Sequence, residues 1–232
     1  ATGNAKTVRN NNSSRFGKYI ALRFDERSQL LGAEVQTFLL EKSRVVATTA
    51  TGERNYHVFY HVLLGARLLS PPDPKQHRLL SRSACYGIPH VDDAEEHRHL
   101  AQAMVDIGMA EQEIAEVQQA IAAILALGNL CFGDAPDEQA ALSDPNTLQL
   151  ATEYLGVPDL EQALLKATLK VSRSEAYTIE LDAAKAAAGR DAFAKALYQR
   201  VFDLLVRRVN ASLSVAGPAG AGGGGGGAAA GG

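Results

Sequence analysis

Residues 18–24 read as a strand, and a second strand-like run follows over 31–46, carrying Val35, Thr37 and Leu39 and then Val45 and Val46. The polar residues Asp25, Glu26, Arg27 and Ser28 lie between the two, so the pattern predicts an antiparallel hairpin with a short turn. Beyond it the apolar period lengthens to that of a helix. Tyr56, Phe59, Tyr60, Leu63 and Leu64 place a helix over 53–64, and the prolines at 71, 72 and 74 interrupt the chain. Asp92, Asp93, Glu95 and Glu96 suit the first turn of a helix, where the dipole favours carboxylates. Further helices are expected over 110–127, 147–155, 159–167 and 182–210. The last carries Phe193, Leu197, Val201, Leu204 and Arg208 on one face. Tyr198, Phe202, Leu205 and Val209 occupy the next face, a stripe wide enough to be buried around much of the helix. Asp191 with Lys195, and Asp203 with Arg207, stand at favourable i,i+4 spacing. Residues 216–232 contain only Ala, Gly and one Pro, so a disordered tail is expected over 214–232.

The chain has 232 residues, 46% of them hydrophobic, enough for one good core or two small ones. A formal net charge of −3 offers no basic field for nucleic acid. Two isolated cysteines, Cys85 and Cys131, form neither a disulfide framework nor a zinc site and fit a reducing compartment. The longest apolar stretch, 120–127, is too short to cross a bilayer, so no membrane insertion is expected. His57, His61, His90, His97 and His99 invite comparison with a metal site. His97 and His99, two apart, do not share a helix face, and the reading preferred for the histidines is a surface one.

Candidate chemistry concentrates in residues 4–18. Asn10, Asn11, Asn12, Ser13, Ser14 and Arg15 follow one another just ahead of the first strand. Small neutral side chains rich in donors can wrap a phosphate chain, and a hydroxyl is a hard oxygen ligand for magnesium. Composition alone makes such a run a solvated turn. The order of residues says more: Asn-Ala-Lys-Thr-Val-Arg-Asn-Asn-Asn-Ser-Ser-Arg-Phe-Gly-Lys closely resembles switch I of the myosin motor domain. Residues 38–46, Phe-Leu-Leu-Glu-Lys-Ser-Arg-Val-Val, resemble another block of that family. So do 52–60, 92–96, 123–130 and 190–198, in the family's order, and the likeness covers residues 1–213.

The resemblance implies an α/β, mostly helical fold. It would be a fragment of a P-loop NTPase motor domain, with an antiparallel strand hairpin and a helical subdomain forming the upper part of an actin-binding cleft. By the same resemblance Asn10 contacts nucleotide phosphates, Ser13 lies near the terminal phosphate and the attacking water, and Ser14 ligates Mg2+. Arg15 forms an ion pair with a glutamate of switch II. Lys6 and Arg9 either add positive potential near the phosphates or are solvated loop charges. ATP and Mg2+ are the implied cofactors and the actin filament the implied partner, met in part through a loop over 170–181 with Lys170, Arg173 and Glu175 exposed. The implied location is the cytoplasmic cytoskeleton, with light chains and cargo engaged only through segments outside these residues. Leu204 stands where many myosins have Trp, and His61 where Gln is common. The family's phosphate-binding loop, Gly-x-x-x-x-Gly-Lys-Ser/Thr, is not among these residues; Gly17-Lys18 lacks the earlier glycine. Switch II, Asp-Ile-x-Gly-Phe-Glu, is expected after the long helix, where the Gly/Ala tail stands. The expectation is therefore a motor fragment, inactive alone. The alternatives are a helical interaction module that has lost catalysis, or a truncated gene product.

Overall fold

A computed structural model describes residues 1–47, 50–134, 139–170 and 176–214. The expected Gly/Ala tail beyond 214 lies outside them. The chain opens with a short hairpin, β1 (Asn4–Ala5) against β2 (Ser13–Ser14), followed by a longer one, β3 (Gly17–Phe24) against β4 (Leu30–Phe38). Helices come next: α1 (His57–His61), which runs on into a wider π turn over Val62–Ala66, α2 (Arg78–Ser81), α3 (Asp93–Asp106) and α4 (Glu111–Asn129). A third hairpin pairs β5 (Phe132–Asp134) with β6 (Ala140–Leu142). Two helices, α5 (Pro145–Leu155) and α6 (Leu160–Leu165), lead to a fourth hairpin of β7 (Lys166–Lys170) and β8 (Ala176–Glu180). The 31-residue α7 (Ala183–Leu213) closes the described structure. The fold is mixed α/β, with helices predominating and the described strands arranged in two-stranded antiparallel pairs.

The core forms where α1, its π turn, α4 and α7 meet. Tyr56, Val58, Phe59 and Tyr60 are buried, as is the run from Ile121 to Leu127, so the second half of α4 is covered on all sides. Gly128 belongs to that close packing: a Cβ there would stand 2.4 Å from Cγ of Leu79. Tyr198 of α7 stacks on Tyr56 with centroids 4.8 Å apart and lies against Phe59 at 5.2 Å. Its hydroxyl donates to the carbonyl of Thr2 at 2.7 Å, so the last helix holds the first residues of the chain. Lower on α7, the amide of Asn210 accepts from the N–H of Val35 (2.7 Å) and donates to its carbonyl (2.9 Å), tying β4 to the helix. Helix starts follow the capping rules: Asp92, Asp144 and Asp182 accept from the first-turn N–H groups of α3, α5 and α7, and Pro145 occupies the first position of α5.

Several expected boundaries moved for identifiable reasons. The second strand ends at Phe38, because Leu39 takes φ 55° and turns the chain outward. Val45 therefore lies in a 3-10 turn (Lys42–Val45), buried, and Val46 follows that turn. The helix expected from residue 53 begins at His57. The backbone before it runs alongside β1 instead: the N–H of Arg54 donates to the carbonyl of Lys6, and Tyr56 bridges to Ala5. The helix expected over 159–167 stops at Leu165, since Lys166 and Ala167 pair with Glu180 and Ile179. Of the stretch read as an actin-facing loop, the described residues Lys170 and 176–180 are thus strand. Lys170 ends β7, whereas Arg173 and Glu175 lie outside the described residues. Neither expected i,i+4 ion pair on α7 forms. Asp191 pairs with Arg190 and Arg78, Asp203 accepts from Gln199, and Arg208 pairs with Glu113 across to α4. The surface reading fails for two histidines: His57 and His61 are buried, while His90 and His99 are exposed. Among the described residues no group of three or more His, Cys, Asp or Glu can hold a metal ion, and no helix is long and apolar enough to cross a membrane.

Candidate functional site

The asparagine–serine run is the loop and second strand of the opening hairpin. Asn4 pairs with Ser14 and Ala5 with Ser13, which closes residues 6–12 into a loop. That loop is held by its own side chains. The carbonyl of Asn10 accepts from the N–H of Thr7 at 2.8 Å and from the Thr7 hydroxyl at 3.2 Å. Oδ1 of Asn10 accepts from the N–H of Asn12 at 2.9 Å, and Nδ2 of Asn4 donates to Oδ1 of Asn12 at 2.8 Å. The backbone N–H of Asn10 faces the Thr7 hydroxyl at 3.2 Å, while its side-chain Nδ2 has no partner among the described residues. Lys6 donates to the carbonyl of Gly52, which draws its ammonium back toward the body of the chain. Arg9 is exposed.

Strand alternation separates the two serines. Ser13 shares a face with Ala5 and Arg15; Nη1 of Arg15 lies 3.4 Å from its hydroxyl. Ser14 shares the other face with Asn4, is exposed, and its hydroxyl bonds to no described residue. A free serine hydroxyl fits Mg2+, which takes one or two protein oxygens and fills its remaining positions with phosphate and water. Behind the loop, between it, α1 and α3, is a cavity of about 460 Å3 that His57, His61 and Leu100 help to line.

Arg15 finds a partner that the sequence reading did not foresee. Its Nε donates to Oε2 of Glu41 at 2.6 Å, across 26 residues. Arg44 donates to the same oxygen at 2.8 Å and reaches Glu53 at 3.2 Å. Burial alone would raise the Glu41 carboxyl, but the hydrogen bonds from Arg15 and Arg44 outweigh it and hold its pKa below the usual value. The same bond raises the Arg15 guanidinium. Deeper in, Arg54, fully buried, grips Asp93 with two hydrogen bonds of 2.9 and 2.7 Å, and its guanidinium lies 3.7 Å from the centroid of the Tyr60 ring. Nε2 of His61 lies 3.4 Å from Oδ1 of the same aspartate. Burial pushes His57 down to about 4 and His61 to about 3, the nearby Arg54 adding to both.

Residues 1–220 match the family described as Myosin head (motor domain). The chain belongs to that family. Among its relatives, the Myosin IB heavy chain of Dictyostelium discoideum is 38% identical over 228 residues, covering 92% of this chain and 20% of its own length. The Myosin-1 of Aspergillus terreus is 41% identical, with 93% of this chain and 18% of its own covered. The non-muscle Myosin-2 heavy chain of Acanthamoeba castellanii is 43% identical, with 92% and 15%. This chain therefore spans a fifth or less of the myosins it matches. Of the residues read as myosin switch I, the fold brings Ser13 and Arg15 together and sets Ser14 on the opposite face. Glu41 gave one signal in the sequence: it stands inside the Phe-Leu-Leu-Glu-Lys-Ser-Arg-Val-Val block, between hydrophobic residues and a basic pair.

Proposed function

We propose that residues 1–213 are the switch I side of a myosin motor of the P-loop NTPase class, together with part of its sheet and the upper subdomain of its actin-binding cleft. That motor binds Mg-ATP, hydrolyses it and moves along actin filaments in the cytoplasm. The observation that carries this reading is the order Asn10 to Arg15 set on a hairpin, with the Asn10 Nδ2 and the Ser14 hydroxyl free of partners among the described residues and Arg15 clamped at its base. Asn10 would donate to phosphate oxygens, and the Ser14 hydroxyl would hold Mg2+. Bound there, the ion neutralises charge on the phosphates. Ser13, beside Arg15, would stand next to the terminal phosphate, and Arg15 would meet a carboxylate supplied from elsewhere in the motor. Catalysis of this kind is positioning and charge stabilisation, so each group needs the opposite wall of the site. Lys170, Arg173 and Glu175 would face actin.

Without that wall, the isolated chain is expected to bind ATP no better than about 1 mM, roughly −4 kcal/mol. A fluorescent-nucleotide titration giving micromolar affinity would refute this. The function itself is tested by a chimera in which residues 1–213 replace the matching stretch of the Dictyostelium myosin IB motor. Mg-ATPase activity stimulated by actin is expected. A chimera that folds, shown by a cooperative melt, and hydrolyses no ATP would end the proposal.

A further inference from the structure

Glu41 is fixed more firmly than an ordinary surface carboxylate. Its N–H donates to the carbonyl of Arg15 at 2.9 Å, and its own carbonyl accepts from the hydroxyl of Tyr56 at 2.9 Å. Its Oε2 takes both Nε of Arg15 and Nε of Arg44, and the Arg44 side chain is only 7% exposed. Arg44 is anchored in turn by Glu53 and by the carbonyl of Arg54 at 3.3 Å. Four alternating charges, Arg15–Glu41–Arg44–Glu53, thus run from the asparagine loop to the segment ahead of α1.

A guanidinium presents a side edge containing Nε and an end formed by Nη1 and Nη2. Glu41 occupies Arg15 through Nε alone. Nη1 reaches Ser13 at 3.4 Å, and Nη2 has no partner among the described residues. The end suited to a bidentate carboxylate is left open beside the serine. An exposed ion pair adds little to stability. This one is half-buried, and its acceptor oxygen is shared with a buried arginine, an arrangement that fixes direction.

We propose that Glu41 is a positioning residue for Arg15: it grips the Nε side so that the Nη1–Nη2 end stays beside Ser13 and available to a second carboxylate. Glu41 touches no nucleotide and acts through Arg15. The inference rests on the reading of residues 10–15 as switch I. It assigns to the Phe-Leu-Leu-Glu-Lys-Ser-Arg-Val-Val block a part in keeping the site ready to close.

The test uses the chimera described above. E41Q keeps an acceptor oxygen but removes the charge shared by two arginines. Misplacing a reacting group can lower a rate by about 100-fold, so E41Q is expected to lower kcat about 10-fold while KM for ATP changes less than about 3-fold. In an R15Q background the same substitution should change kcat by less than about 2-fold, because the residue through which Glu41 acts is gone. Independent, additive losses in the two backgrounds would mean a structural role and overturn the inference, as would an unchanged kcat in E41Q. An inactive parent chimera would instead overturn the reading of function. On the 232-residue chain itself, nitrogen-edited NMR should show the Arg15 Nε–H exchanging with solvent at least about 10-fold faster in E41Q. An unchanged exchange rate overturns the inference even if the chimeric variant does not fold.

Discussion

Replacing Asp93 with alanine is expected to lower the unfolding free energy of the chain by about 3–5 kcal/mol, because it leaves a buried guanidinium without its counter-charge. Arg54 is fully buried and its two terminal nitrogens are both spent on the aspartate. Its Nε already lacks a partner, so besides that bidentate contact the guanidinium has only the Tyr60 ring beneath it and the carbonyl of Tyr86 at 3.5 Å. Asp93 also begins α3, where its charge suits the helix dipole. The double replacement R54M/D93L should be far milder than D93A alone, since it removes two desolvated charges together. Urea unfolding of the three proteins decides the matter. A D93A chain within about 1 kcal/mol of the parent would mean that water reaches the site and that Arg54 is not buried in solution.

Acid should destabilise the chain well before its carboxylates titrate. His57 and His61 stay neutral in the folded protein down to about pH 4 and about pH 3, whereas in the unfolded chain each takes a proton near its ordinary value of 6.5. Between those limits the unfolded state binds more protons, so stability is complete above pH 6.5 and falls as pH falls. At pH 5 the solution is about 1.5 units below the unfolded value of each histidine and still above both folded values, which corresponds to a loss of about 2 kcal/mol per residue. Arg54, Asp93, His97, Glu96 and the terminal amine are the charged or titratable groups nearby. Of these Asp93 favours the protonated form of His57, and Arg54 opposes protonation of both rings. Chemical denaturation at pH 7, 6 and 5 measures the slope, and H61Q should remove one proton's share of it. Stability that stays flat across this range would refute the burial of the two rings.

The periodic parts of the fold were plain in the sequence. The β3–β4 hairpin, α4 and α7 each carry a long uniform pattern; the ends of β3, α4 and α7 lie within a few residues of where it stops, while β4 stops at Phe38 rather than Val46. What local pattern could not show was competition from distant backbone. Residues 53–56 have helical spacing, yet the N–H of Arg54 goes to the carbonyl of Lys6 and Tyr56 bridges to Ala5. Lys166 and Ala167 could extend a helix, yet β8 offers them a ladder. The site divides the same way. Asn10, Ser13, Ser14 and Arg15 are adjacent in sequence, so their order could be recognised. Glu41 for Arg15, and Asp93 for Arg54, are partners across 26 and 39 residues, brought together only by the tertiary fold. His57 and His61 were misjudged because spacing along one helix does not say which helix covers it.

The hydrogen bond from Tyr198 to Thr2 spans 196 positions, and that from Val35 to Asn210 spans 175. Both bind the beginning of the chain to its last described helix. During synthesis at about 5–20 residues per second, the opening loop must therefore wait on the order of ten seconds or more for its seat to leave the ribosome. In that interval the apolar β3–β4 hairpin, with Tyr19, Ile20, Leu22 and Phe24 still exposed even in the finished structure, has nothing of its own to lean on. Among these residues the asparagine–serine motif is thus made well before the helix that secures it, an interval in which a chaperone would find it unseated.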